Sequence, residues 1–229
     1  MRPARRDATD GAWSSSPRTV NEVAFDRLRE LISSGEIEMG SRLDERTLSD
    51  RIGVSRTPLR DAIGHLVALG VAEHRVYRGT FLRSFTPKQV TELYEVRTAL
   101  EGLAAYTAAG SAEPADCDRL EAIIERGTDA FERVDLTAFE RADREFHALV
   151  AELSGNDLLV EELDRLALRI QLVRRIANLE ATVAAETIGD RREVLDAIRR
   201  RDPAAARAAM ARHIGAVQDV AVRRLIARD

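Results

Sequence analysis

Cysteine is almost missing from this chain: Cys117 stands alone among 229 residues. One thiol cannot close an intrachain disulfide, so nothing points to an oxidising compartment. Aromatic residues are scarce as well, at 4%. With Ala, Leu, Arg and Glu abundant instead, the composition favours a mostly helical protein. No apolar run approaches the ~18 residues of a membrane span. The arginine-bearing N-terminus lacks the apolar core of a signal peptide. A cytoplasmic protein without membrane contact is the expectation. Also missing are a Gly-x-Ser-x-Gly elbow, a His-Glu-x-x-His pair and a phosphate-binding glycine loop, which removes the commonest hydrolase and nucleotide-binding classes.

Charge of one sign is not in large excess either. The net charge of −4 argues against a protein that coats nucleic acid, but its distribution is uneven. Residues 1–86 carry 14 Lys/Arg against 12 Asp/Glu, and residues 87–229 carry 21 against 27. Six arginines (51, 56, 60, 75, 78 and 83) crowd the span 51–83 against only Asp61 and Glu73. A local positive surface of this kind attracts phosphate without making the whole protein adhesive.

Residues 1–18, which include Trp13, mix Arg, Ser, Pro and Gly without periodicity and read as a flexible arm. From Val20 to Ile32 the apolar residues trace one helix face, stopped by Gly35. Asp44 can cap a second helix that buries Leu48 and Ile52 and ends at Gly53. Ser55 is a good N-cap for a third, with Pro58 in its first turn. Leu59, Ala62, Ile63 and Leu66 line one side of that helix, and Gly70 ends it. Val71 to Arg83 then reads as a hairpin with Arg78-Gly79 at its turn. Helix, turn, helix and β-wing is how a winged helix-turn-helix offers a short helix to the DNA major groove.

Arg56, Arg60 and Gly64 stack on the face of the third helix opposite its apolar stripe. Arg56 or Arg60 can pair two donors with guanine O6 and N7. Thr57 can meet a phosphate or a thymine methyl, and Arg46 can clamp a phosphate. Gly64 lets the backbone approach DNA or is drift, and His65 reads as a solvated surface histidine. Thr86-Pro87 looks like a cap followed by proline at the first helical position. The expected organisation is therefore an arm (1–18), a winged helix-turn-helix domain (19–83), a linker (84–87) and a helical domain (88–229). Helices are expected near 87–109, 114–132, 136–153, 157–179, 184–201 and 203–227, a bundle of six or seven with room for a pocket.

Gly53-Val54-Ser55-Arg56-Thr57-Pro58-Leu59-Arg60-Asp61-Ala62, followed by His74-Arg75 and Arg78-Gly79-Thr80-Phe81, resembles the N-terminal domain of GntR-family bacterial transcription regulators. The second half resembles that family's FCD ligand-binding domain, on Leu93-Tyr94-Glu95-Val96-Arg97, Leu100-Glu101, Asp143-Arg144-Glu145-Phe146-His147 and His213. The resemblance implies a homodimer on a palindromic operator of double-stranded DNA, released when a small metabolite fills the bundle. It implies Arg46, Arg56 and Arg60 as the main DNA contacts, with Ser55 and Thr57 beside them, and Arg78 and Gly79 in a wing that meets the minor groove.

Asp143 and His147, four apart, share one helix face and offer an oxygen and a nitrogen to one metal ion. The resemblance adds His213, since many FCD domains hold zinc, nickel or manganese on one Asp and three His. Arg191 stands where the middle histidine is expected, and a guanidinium cannot ligate a metal. Three outcomes stay open: a metal on Asp143, His147 and His213 alone; Arg191 replacing it by pairing with Asp143 or an effector carboxylate; or Arg191 outside the pocket. A cation beside a metal is unfavourable, which favours a metal-free or weakly metallated site. Arg97 with Glu101 one turn on is either a helix salt bridge or, by the resemblance, a grip for an effector carboxylate. Two further readings compete: a metal-free apolar pocket for a fatty-acyl ligand, and a metal-dependent enzyme.

Overall fold

The computed structural model describes residues 19–177 and 181–227; the arm expected over 1–18 lies outside the described residues. The described chain is mainly helical, with one two-stranded sheet. Its first helix, α1 (Val20–Ser34), opens on a reciprocal cap between Thr19 and Glu22 and turns Ala24, Leu28 and Ile32 inward. Gly35 closes it at φ +86°, a left-handed geometry that favours glycine. Helix α2 (Glu45–Ile52) is capped by Asp44 on the Thr47 amide, buries Leu48 and Ile52, and stops at Gly53.

Helix α3 (Arg56–Ala68) packs Leu59, Ala62, Ile63 and Leu66 against the other two. Ser55 sits at its N-cap with extended backbone, but its side chain makes no capping bond; the expected cap is one of position only. Gly64 is open, with nothing a Cβ would meet. His65 is exposed as expected, yet its ring stacks on Phe25 with centroids 4.4 Å apart.

Strands β1 (Ala72–Arg75) and β2 (Gly79–Leu82) pair antiparallel, Ala72 opposite Leu82 and Arg75 opposite Gly79. The turn between them is Val76-Tyr77-Arg78, one position earlier than Arg78-Gly79, with Tyr77 fully exposed at φ +60°. The sheet is tied back to the segment before α2, since Leu43 donates its amide to the Thr80 carbonyl at 2.8 Å.

Six helices follow: α4 (Pro87–Ser111), α5 (Pro114–Glu132), α6 (Leu136–Leu153), α7 (Asp157–Ala177), α8 (Ala181–Arg199) and α9 (Pro203–Ile226). Thr86 and Gln89 cap α4 reciprocally, and proline takes an early position in α4, α5 and α9. The expected break at Gly110-Ser111 falls two residues later, because Ser111 stays helical with its hydroxyl on the Thr107 carbonyl. Helix α4 lies along α9, and both bury alanine: Ala104, Ala105 and Ala108 on one, Ala206 and Ala209 on the other. Small side chains let the two backbones approach closely. Helix α7 also reaches the first three-helix unit: Ser33 Oγ donates to Gln171 Oε1 at 2.9 Å, and Arg175 donates to the Ile32 carbonyl at 2.7 Å.

Candidate DNA-reading face and candidate effector cleft

The exposed side of α3 carries Arg56, Thr57 and Arg60, with Arg46 nearby at the start of α2. Arg60 is not loose. Its Nε lies 3.2 Å from both carboxylate oxygens of Glu45, and its second nitrogen 2.7 Å from one of them. The Arg60 hydrogen bond holds the Glu45 carboxyl below its ordinary range. Arg75 and Arg83 instead engage Glu73, and Arg51 engages Glu36. Arg56 and Arg78 make no ion pair among the described residues. Gly79, at φ +97°, opens β2 against Arg42, whose Nε would lie 3.1 Å from an added Cβ.

The helical bundle holds a second concentration of charge, and this one is buried. Arg97 and Glu101 on α4 are both nearly inaccessible and joined at 2.6 Å. His147, on α6, donates from Nδ1 to the other Glu101 oxygen. That tautomer leaves His147 Nε2 as an acceptor, with His213 Nε2 of α9 at 3.1 Å and an Arg97 nitrogen at 3.2 Å. Asp143, one turn before His147, is 1% exposed. Arg174 of α7 pairs directly with one of its oxygens, and Arg191 of α8 stands 3.7 Å from the other. Arg191 also donates to the Thr187 carbonyl at 3.0 Å and faces the Phe139 ring, but its two terminal nitrogens have no hydrogen-bond partner among the described residues.

Burial sets the protonation of this cluster. It pushes His147 down, against the pull of Glu101, and takes His213 to about 3, so both imidazoles are neutral. Burial drives the Glu101 carboxyl up, but the Arg97 guanidinium and His147 outweigh it and hold the group well below the carboxylate range. Burial lowers Arg174 and Arg191 to about 10, still cations at neutral pH.

The cluster forms one end of a cleft of about 250 Å³ between α6 and α7. Arg97, Glu101, Asp143, His147 and Arg174 line that end. Ala148, Ala151, Val160, Leu163, Ala167 and Ile170 form apolar walls, and Gln171 joins them.

Comparison with known proteins is decisive on the family. The FCD domain description matches residues 92–216, and that of the bacterial regulatory proteins of the gntR family matches residues 20–82. The chain belongs to the GntR family and carries an FCD domain. An Escherichia coli (strain K12) protein named for regulation of an L-lactate dehydrogenase operon is 30% identical over 225 residues, 88% of this chain and 86% of its own. The transcriptional repressor RspR of the same organism is 27% identical, covering 87% and 88%. The fold of Escherichia coli McbR/YncC superposes with a TM-score of 0.79 at 22% identity, covering 92% of this chain and 99% of that one. The two sequence relatives are named as an operon regulator and a transcriptional repressor, and the GntR chain described here is a regulator, not an enzyme. Among the described residues, no helix is long and apolar enough to cross a membrane.

In this GntR regulator Asp143, His147 and His213 come together from α6 and α9, with ligand atoms within 4.8 Å of one another. Arg97 and Glu101 line the cleft. Arg191 and His213 do not: both lie behind Asp143 and His147, so Arg191 touches the cleft only through Asp143. Sequence reasoning missed Arg174, Gln171 and Glu45. The first had a signal, since Leu163, Ala167, Ile170 and Arg174 share one helical face. Glu45 had none, because only the α2–α3 crossing brings it to Arg60.

Proposed function

We propose that this regulator works in the cytoplasm as a homodimeric repressor of a palindromic operator and is released by a small carboxylate metabolite bound in the α6–α7 cleft. In this reading residues 19–83 are the DNA-binding unit, 84–87 a linker and 88–229 the effector-binding and dimerisation unit. Arg46, Ser55, Arg56, Thr57 and Arg60 face the major groove and phosphates, while Arg78 and Gly79 carry the wing to the minor groove. Dimerisation is supported by α4, whose outer side exposes Val96, Leu103 and Tyr106 (50, 39 and 43%) in one stripe.

The observation that carries the effector reading is Gln171. It lines the cleft and also accepts the Ser33 hydroxyl of α1, while Arg175, one turn on, holds the end of α1. A ligand that shifts α7 therefore acts on the unit that presents α3. Release follows if the ligand prefers an arrangement in which the paired α3 helices no longer match the half-site spacing.

The three metal-ligand candidates do not fit a resident divalent ion as they stand. Asp143 is already paired with Arg174 and faces Arg191, and the His147 Nε2 lone pair is directed at Arg97 and His213. Three guanidinium groups surround the point where a dication would sit, and like charges at this separation are strongly unfavourable in a buried site. We therefore read the site as metal-free, its cations supplied by arginine. Elemental analysis of the purified protein tests this: metal well below one equivalent per chain is expected, and one equivalent lost in His147→Ala would overturn it. Footprinting on the promoter of the regulator's own gene, with sedimentation of the free protein, tests the operator and the dimer. An asymmetric footprint or a monomer would sink that part.

A further inference from the structure

The two ends of the α6–α7 cleft differ in chemistry. Its walls, Ala148, Ala151, Val160, Leu163, Ala167 and Ile170, have no polar side-chain atom. Its buried end sets two guanidiniums, Arg97 and Arg174, beside two carboxylates, Glu101 and Asp143, with Arg191 behind Asp143; Asp190 and Glu140 stand at the edge, partly open to solvent. We infer that the cleft takes a monocarboxylate with an apolar body, its carboxylate gripped by Arg174 beside Arg97 and its body held between α6 and α7. This rests on the carboxylate-effector reading above and narrows it.

Arg174 is free to change partners. Asp143 has a second cation within reach, because Arg191 stands 3.7 Å away with neither terminal nitrogen hydrogen-bonded among the described residues. When a ligand carboxylate takes Arg174, Asp143 turns to Arg191, and no charge is left buried and unpaired. The exchange swaps one carboxylate for another on a planar fork built for that geometry. The alternative ligands fare worse. A sugar acid brings a hydroxyl on nearly every carbon; those that meet the six apolar wall residues lose water without gaining a partner, and only Glu140, Arg144, Asp164 and Gln171 at the margins offer one. A second carboxylate would meet Glu140 and Asp164, which outnumber Arg144 along the rest of the lining. Size sets the length. A cavity of about 150 Å³ holds one benzene, so about 250 Å³ suits an acid of roughly ten heavy atoms.

The test is calorimetric titration of the full-length protein with straight-chain acids from acetate to octanoate, with 1-octanol, gluconate and adipate as comparisons, with and without chelator. Affinity should rise roughly fourfold per methylene and level off near octanoate, unaffected by chelator, with gluconate and adipate weaker than hexanoate. Arg174→Gln combined with Asp143→Asn, which removes both charges together, should weaken octanoate at least tenfold and leave 1-octanol unchanged. Should that pair not fold, Arg174→Lys keeps the charge, loses the fork, and should weaken octanoate severalfold. Flat affinity with chain length, or a preference for gluconate or adipate, overturns the apolar body but leaves the carboxylate reading standing. Unchanged octanoate affinity in the Arg174 variants, or binding lost to chelator, overturns the arginine grip. If no acid binds, the carboxylate reading falls with it.

Discussion

Arginine does two different jobs in this molecule, and its surroundings decide which. On α2, α3 and the wing, Arg46, Arg56, Arg60 and Arg78 are exposed, and water already solvates them. In the bundle, Arg97 and Arg191 are 2% and 1% exposed, and Arg174 is 11% exposed where it lines the cleft. An exposed arginine costs the fold nothing and keeps its donors for an outside anion. A buried one must be matched by carboxylates, so it belongs to the architecture and responds only when a ligand offers the same chemistry. The first kind suits DNA, whose phosphates arrive with the partner. The second suits a small acid that can exchange for an internal carboxylate.

Arg97→Ala should break this distinction most visibly. It strands Glu101, 4% exposed, with only His147 to answer it. Removing one member of a buried pair costs about 3–5 kcal/mol, which for a chain of this size lowers the thermal midpoint by roughly 6–20 °C. Differential scanning calorimetry measures it, and Arg97→Ala with Glu101→Gln should recover much of the loss. A change within 2 °C for Arg97→Ala alone would mean that Glu101 is not held as a buried anion. The folded variant should keep its operator affinity and lose its response to the effector.

Arg56→Ala and Arg60→Ala should do the reverse. Each removes a reader from an exposed face, so the midpoint should barely move while operator affinity drops roughly 5- to 150-fold. Fluorescence anisotropy at one fixed salt concentration reads this, with circular dichroism as the control for folding. Full operator affinity in both variants would mean that α3 is not the reader.

Gly35 tests how the two regions communicate. Its φ of +86° alone strains any other residue, and an added Cβ would lie 1.9 Å from an Arg175 nitrogen. Gly35→Ala should cost about 1–2 kcal/mol for the left-handed backbone and push Arg175 off the Ile32 carbonyl. Arg175→Ala in the same chain removes the collision but not the backbone strain. The double variant should therefore be no less stable than Gly35→Ala, and both should respond poorly to the effector. An effector response of normal size in both would show that α7 does not work through α1.

What could be read from the sequence divides along the same line. The caps at Asp44 and Thr86, the stop at Gly35 and the exposed arginines of α3 depend on neighbours a few residues away. Helix periods and breaks carried the bundle's six helices for the same reason. The cluster at Asp143 depends instead on five helices meeting. The spacing of Arg97 and Glu101 reads as an ordinary i,i+4 pair, and only the packing of α4 against α6 and α9 makes it a buried one. Arg191 was visible as an oddity, but not that it would lie behind Asp143. Arg174 had its helical face as a signal and nothing to mark that face as a cleft wall.

The smallest effect belongs to Glu45, where an exposed arginine has borrowed a little of the buried kind's constraint. Its carboxylate holds Arg60 with a fork of hydrogen bonds and also places a negative charge beside incoming phosphates. Glu45→Gln removes the repulsion and loosens the fork. Affinity for unrelated DNA should rise about two- to threefold, and the operator's advantage over it should fall by a similar factor, since a freer Arg60 discriminates less well. Acid should mimic the variant. Arg60 holds the Glu45 carboxyl below 4.5, so the pair is intact above that pH and is lost as pH falls through the lowered value. Competition binding of operator against scrambled duplex at pH 7 gives both affinities. If discrimination improves in Glu45→Gln, the carboxylate is only screening the reader, and Arg60 finds guanine without being aimed.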